Sequence, residues 1–505
     1  MRARILPSAM LALCLGLTAL AVHAQPPAPR AGGRLRFATQ ADPDGLDPHR
    51  SPADSTFIIA MNIFDSLVAT NAKGELLPGL AAKWSIAPNG LTYTFSLRPG
   101  VTFHDGRAFG AGDAKYSLAR MSEKGKSPHA TDYEIIDSVE TPDRLTVKMT
   151  LKRPSARFLS DLAYGWASMV PEGAGDELRR HPVGTGPFRF VEWVPDSHVT
   201  LARNPKYFVA GRPYLDEIVF GVVPDETARL TSLKAGDLDM ADRIPAQAVA
   251  ELRSAGVKVD TFPRNTLSEV AINQEQKPFN DLRVRRALFH ATDRSAVLEG
   301  AVFGFGRLIG TFMPPIISEY YLDLNGRYLY DPAKARQLLA EAGYPNGFET
   351  TLYLPQPYAE FVKSGEIVAS QWKKAGVRAN LVVLEWGAWL DKIYKKHDYG
   401  VTVIGHVGRL DPITLLERFK SKYNANYFGY ANPAYDTLIA EADTTHDRAR
   451  RKEVVAKLER LLSEDAVCVW LFSTDGIVGS RPDVHGYSEL PIPGNRLLEV
   501  YRAAP

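Results

Sequence analysis

Residues 76–106 read LLPGLAAKWSIAPNGLTYTFSLRPGVTFHDG. Pro88-Asn89-Gly90 supplies a turn in which Asn and Gly accept positive φ at little cost. After it, Leu91, Tyr93, Phe95 and Leu97 alternate with Thr92, Thr94, Ser96 and Arg98. A period of two puts the apolar four on one face of a strand and the polar four on water. A second turn, Arg98-Pro99-Gly100, leads to Val101 and Phe103, and the run closes on His104-Asp105-Gly106. The pattern predicts a half-buried antiparallel meander whose residues scaffold rather than catalyse.

The wording of this run closely resembles the signature of the family 5 extracellular solute-binding proteins, the peptide and nickel type that feed ABC importers. It carries a PGLAxxW phrase from Pro78 to Trp84, a GLTYTFSLR strand and an FHDG close. A second block runs from Ala271-Ile272-Asn273 through Phe279-Asn280-Asp281-Leu282-Arg283 to Asp293-Arg294, and a third is YDPAKARQLLAEAGYPNGF at 330–348. Weaker matches are Leu46-Asp47-Pro48-His49, GTGPFRFVEW at 184–193 and GRPYLDEI at 211–218. The resemblance covers essentially the whole chain after its leader. It implies an α/β, two-lobed periplasmic-binding-protein fold of type II, in the large class with an additional inserted domain.

The N-terminus carries Arg2 and Arg4 before an apolar run to Val22, and Val22-His23-Ala24 offers small residues at the −3 and −1 positions. This reads as a secretory signal peptide at 1–24, cleaved after Ala24. Cys14 follows Leu13 with little apolar core upstream, which argues against lipid modification. Residues 25–32 (QPPAPRAG) form a flexible leader. Cleavage removes two of the 60 basic residues and none of the 58 acidic ones, leaving 58 against 58. No basic surplus remains to attract nucleic acid or an anionic membrane. Of the two cysteines only Cys468 remains, so no internal disulfide forms. It lies in the apolar run Val467-Cys468-Val469-Trp470-Leu471 and reads as a small buried hydrophobe.

Helical spacing recurs over Phe57, Ile58, Met61, Ile63, Phe64, Leu67 and Val68, and a helix is expected over 111–121. Strands are expected within 132–151, turning at Thr141-Pro142-Asp143. The breaker-rich 181–188 has no Lys-Ser/Thr after its glycines, so it is not a phosphate loop. Asn280 or Asp281 caps a helix with Val284, Ala287, Leu288 and Ala291 inward, and Arg283, Arg285 and Arg286 read as a solvated face pairing with acids, with an anion site as the alternative. Asp331-Pro332 opens another helix that ends at Gly343. A helix near 361–375 joins strands at 350–354 and 378–384. Val454, Val455, Leu458, Leu461 and Leu462 form a last helical stripe before a buried strand at 467–472.

Val401-Thr402-Val403-Ile404 reads as a strand covered on both faces, with the loop Gly405-His406-Val407-Gly408-Arg409-Leu410-Asp411-Pro412 after it. Open α/β sheets bind ligands outside the carboxyl ends of their strands. By resemblance, Asp411 matches the Asp of a "DP" phrase that receives the ligand's α-ammonium in peptide-binding relatives, through charge-assisted hydrogen bonds. The alternative is that it only caps the following helix. Arg409 is suited to a ligand carboxylate or phosphate, or else it neutralises Asp411. His406 is an unusual neighbour for either role. Trp386, Trp389 and Tyr427 either wall the cleft or pack the core.

No catalytic or metal set emerges. There is no HExxH, GxSxG or P-loop, and Gly304-Phe305-Gly306-Arg307-Leu308-Ile309-Gly310 misses the dinucleotide spacing. None of the histidines is paired at ligand spacing, and no cofactor is implied. The resemblance implies a monomeric periplasmic substrate-binding component of an ABC importer. It would capture a peptide or peptide-like solute between lobes and deliver it to the inner-membrane permease, without enzymatic activity and without nucleic acid. An opine- or sugar-like ligand, a metal chelate, or reuse of the fold as a sensor or chaperone are the alternatives. The expected division is lobe I at 33–61, 184–262 and 470–505, an inserted domain at 62–183, and lobe III at 263–469, with a hinge near Phe262 and Val469.

Overall fold

A computed structural model describes residues 28–503, so the expected signal segment with Cys14 and the start of the leader lie outside the described residues. The quoted run folds around its turn. Ala87 N donates to Thr92 O and Gly90 N to Ala87 O, both at 2.8 Å, and Gly90 takes φ +69°. Strand Thr92–Leu97 lies between Ala81–Ile86 and Thr146–Leu151, with Ile136–Asp143 outermost, all antiparallel. Tyr93, Phe95 and Leu97 are buried against Val147, Met149 and helix Ala111–Met121. The expected turn at Thr141-Pro142-Asp143 falls slightly later, because pairing continues to Asp143 opposite Thr146 and the Asp143 carboxylate accepts from Leu145 N.

Most of the remaining strands belong to one long sheet organised by strand Cys468–Ser480. Its first half pairs with Thr266–Ile272, and from there the sheet continues through Val401–Val407 and Phe348–Pro355 to Val377–Leu384. Its second half pairs with Lys258–Pro263 and Met240–Ala241. The sheet then continues through Arg34–Thr39, Glu217–Val222 and His198–Arg203 to Phe188–Val194. Pairing changes sides between Pro263 opposite Asp475 and Ser268 opposite Phe472, so Arg264-Asn265 and Ser473-Thr474 carry the chain across. Each half has its own apolar cluster, one around Trp372, Trp389 and Trp470, the other around Phe37, Phe188 and Phe220. Cys468 is buried in the first, and burial pushes its thiol up, as suits an inert small hydrophobe.

Three further expectations are corrected. Helix Asp54–Ile63 stops before Phe64 although the apolar spacing runs on to Val68. Gly184 presses on its end: a Cβ there would lie 2.1 Å from the Ile63 carbonyl oxygen. Asp65, just past Phe64, is buried among Thr185, Tyr207 and Arg496. Second, only part of the arginine face is solvated. Asp281 does cap helix Leu282–His290, and Arg283 is paired with it. Arg285, however, is 6% exposed and donates to the carbonyls of Asp465 and Phe279, while Arg286 donates to Glu464 O. These cations satisfy carbonyls at the end of helix Arg448–Glu464, where the helix dipole favours them. Third, the strand expected to end at Ile404 runs to Val407, since Thr266–Ile272 pairs along its whole length. His406 is therefore a strand residue.

Candidate functional site: the cleft between the two halves of the sheet

A cavity of about 580 Å³ opens where the long sheet changes sides. Helix Asp54–Ile63 contributes Asp54 and Phe57, the short turn Gly165–Ala167 packed on the four-stranded sheet contributes Trp166, and the opposite half contributes Tyr358, Glu360 and Val407. Its floor is the crossing at 264–266 and the C-terminal segment 489–495. Arg264 Nε pairs with Glu489 Oε1 at 2.6 Å, and Asn265 Nδ2 donates to Pro491 O at 2.9 Å. Gly408 N donates to Asn265 O at 2.6 Å. A Cβ on Gly408 would lie 1.7 Å from Asn265 Oδ1, so only glycine lets the loop approach this closely. Asn265 thus joins the crossing, the floor and the loop after Val407.

Charges lining the cavity are mostly matched. Arg243 pairs with Asp54, and Asn495 Nδ2 donates to Asp242 Oδ2 at 3.2 Å. Burial raises Asp242 to about 6, against the lowering effect of the Asn495 hydrogen bond. An acid whose folded value is raised has its stabilising share present below the unfolded value near 4 and lost as pH climbs through about 6. Asp242→Asn is therefore expected to gain about 3 kcal/mol at pH 8 and nothing at pH 3.5, as two units at 1.36 kcal/mol each imply. Urea unfolding at the two pH values checks this, and identical pH slopes for both proteins would refute it. Glu360 differs from the other lining carboxylates: among the described residues it forms no ion pair.

The residues singled out from sequence fall in distinct settings. Asp411 caps helix Pro412–Leu416 by accepting from Ile413 N and is 3% exposed. Its partner is Arg451 rather than Arg409: Arg451 reaches both carboxylate oxygens at 2.7 and 2.8 Å. Burial works against the Arg451 charge, yet the Asp411 carboxylate more than offsets it and holds the guanidinium well above its ordinary value. Arg409 instead lies over the rings of Tyr164 and Trp166, 5.6 and 5.4 Å from their centroids. It is half-buried and, among the described residues, has no ion pair. Two aromatic rings fix this guanidinium, which also hydrogen-bonds the Tyr164 hydroxyl.

His406 Nε2 is 2.9 Å from Glu269 Oε1 and 3.0 Å from the Tyr427 hydroxyl. Tyr427 and Glu269 are both fully buried, and burial raises Glu269 in spite of the neighbouring imidazole. Trp389 packs in the core with its indole N–H donating to Thr402 Oγ1. Trp386 stacks on it at 5.2 Å and meets Tyr358 of the cavity wall edge-on. His406, Tyr427 and Trp389 thus lie in the core of one half and do not line the cavity, and Trp386 reaches it only through Tyr358.

Sequence reading missed Glu360, Trp166, Arg451 and the floor segment. A signal existed for Arg451. It falls three and four residues before Val454 and Val455, on the apolar stripe of its helix, and an arginine there calls for a buried partner. Among the described residues no cluster of His, Cys, Asp or Glu is arranged to hold a metal, and no helix is long and apolar enough to cross a membrane.

The sequence model of the bacterial extracellular solute-binding proteins, family 5 Middle, matches residues 75–427. The chain is 28% identical to the dipeptide-binding protein of Escherichia coli strain K12, over 97% of this chain and 98% of that protein. It is 31% identical to the glutathione-binding protein GsiB of Pectobacterium atrosepticum, over 88% and 90% of the two chains. Among solved structures, HbpA2 from Haemophilus parasuis superposes with a TM-score of 0.86 at 26% identity, covering 94% of this chain and all of that one. The similar relatives are binding proteins, and the architecture is the two-lobed α/β fold of type II periplasmic binding proteins. With its middle matched by the family's model and its length shared with such relatives, the chain belongs to the family 5 extracellular solute-binding proteins of bacteria.

Proposed function

We propose that this chain is the periplasmic substrate-binding subunit of an ABC importer and that it captures short peptides in the cleft. The observation that carries the reading is an unpaired carboxylate in the cavity wall, Glu360, with Arg409 held over the ring of the wall residue Trp166 just outside the lining. A peptide zwitterion supplies both complements: its ammonium meets Glu360, and its carboxylate or a backbone carbonyl accepts from Arg409. Relatives named for dipeptides and glutathione support the peptide class. Asp411 acts through Arg451, anchoring the loop that presents Arg409, while Trp386, Trp389, His406 and Tyr427 stiffen the wall behind it.

Residues 1–24 serve as the export signal. The parts of the chain on either side of the crossing at Arg264-Asn265 act as the lobes, and ligand favours their closure by contacting both. The closed form of the monomer is what the permease in the inner membrane reads. The protein binds and releases its solute unchanged, with no cofactor and no catalysis. Native mass spectrometry of the purified mature protein, followed by denaturing release, tests the reading. A co-purified peptide is the expected result. A sugar acid, an opine or a metal chelate in its place would overturn the peptide class.

A further inference from the structure

The four-stranded unit meets the opposite half of the molecule along a second seam. The chain enters this unit after helix Asp54–Ile63 and leaves it before strand Phe188–Val194, both on the side of Phe37 and Phe220. No backbone therefore ties the unit to the half around Trp470. The segment after strand Thr146–Leu151 nevertheless grips that half. Arg153 Nη1 lies 2.8 Å from Asp443 Oδ2, and Ala156 N donates to the Asp443 carbonyl at 2.8 Å. Arg157 Nη1 lies 3.4 Å from Glu417 Oε1, which also accepts from the Tyr423 hydroxyl at 3.2 Å. The Tyr164 hydroxyl accepts from Leu410 N at 2.9 Å. Asp443 lies in the last turn of helix Pro433–Thr444, and Glu417 opens the turn Glu417–Phe419. Ile439, Ala442 and Phe419 root these segments in the core of the opposite half, as Phe158 and Leu162 root the arginines in the core of the four-stranded unit.

The seam is built to part. Its contacts are polar, and beside them opens a space of about 560 Å³, with Ala156, Leu159 and Ser160 on one side and Asp411, Thr445 and His446 on the other. Polar contacts between units of one chain come and go far more readily than a continuous apolar core. Arg157 keeps its charge here. Burial works against it, but the carboxylates of Asp161, Glu417 and Asp443 more than offset that and hold the guanidinium above its ordinary value. None of the gripping residues lines the cleft, so a solute held there touches none of them.

We propose that this seam is a latch on lobe closure: Arg153 and Arg157 hold the four-stranded unit against the opposite half in the empty protein and set how much of it is closed before ligand arrives. The inference rests on the lobe closure read above and adds the part that ligand does not supply. The larger the fraction already closed, the less the apparent affinity is reduced by the open state.

Pulsed electron paramagnetic resonance on the full mature protein tests this. Spin labels are placed at Asp137→Cys in the four-stranded unit and at Lys457→Cys in helix Arg448–Glu464; both positions are exposed, and the native Cys468 is buried. The unliganded protein is expected to show mostly the short interlabel distance. Arg153→Glu should lower the closed-to-open ratio about fivefold, the upper range for one exposed ion pair. Adding Asp443→Arg should restore the ratio by rebuilding the pair with its charges exchanged. An unchanged ratio in Arg153→Glu, or no recovery with Asp443→Arg, would overturn the latch. A saturating library of dipeptides is expected to return Arg153→Glu to the short distance. If the charge reversal opens the molecule and the library does not close it, closure by short peptides falls and the latch stands.

Discussion

Replacing Arg451 by leucine is expected to cost about 3–5 kcal/mol of stability, the penalty for leaving a buried charge without its partner. The Asp411 carboxylate has no water to turn to, since its side chain is 2% exposed and its oxygens already serve Arg451 and the Ile413 amide. The double variant Asp411→Asn with Arg451→Leu should regain at least half of the loss, because an amide oxygen still caps the helix and no charge is stranded. Urea unfolding of the two variants beside the wild type gives the comparison. A single variant that loses less than about 1 kcal/mol would show that the pair is no more than a surface-like contact.

Arg409→Ala is expected to weaken short-peptide binding about 100-fold, close to 3 kcal/mol, as loss of a charged donor to a ligand oxygen in a desolvated cleft implies. Arg409→Lys should recover only a fraction of this. An ammonium carries no planar fork to lie on the Tyr164 and Trp166 rings while donating sideways. Isothermal titration calorimetry with a dipeptide recovered from the protein separates the three, and the melting temperature of the unliganded variants should fall only slightly, because ring contacts but no ion pair are lost. Wild-type affinity in Arg409→Ala would remove this residue from the site.

The sequence announced whatever depended on neighbours a few residues apart. Tyr93 and Phe95 declare their face by alternation, and Asp281 and Asp331 declare helix starts because a short carboxylate followed by helical spacing has one economical use. The helix that stops at Ile63 was misread because the cause, Gly184, lies far along the chain. Asp411 does sit before a helix as its DP phrase suggests, but its partner Arg451 lies forty residues on, and the sequence offered only the nearby Arg409. Glu360 carried no signal at all. An acid in the first turn of helix Ala359–Lys374 reads as ordinary dipole matching, and only the arrangement of both sheet halves makes it part of a cavity wall.

Strand Cys468–Ser480 has thirteen residues and belongs to both halves of the sheet at once. Neither half can melt on its own without stripping an inner strand from its neighbour and exposing the hydrogen-bonding edge it covered. At the cleft the two halves are therefore tied by continuous backbone and cannot come apart. The opening and shutting proposed above would then move a line of continuous backbone rather than part a separable interface.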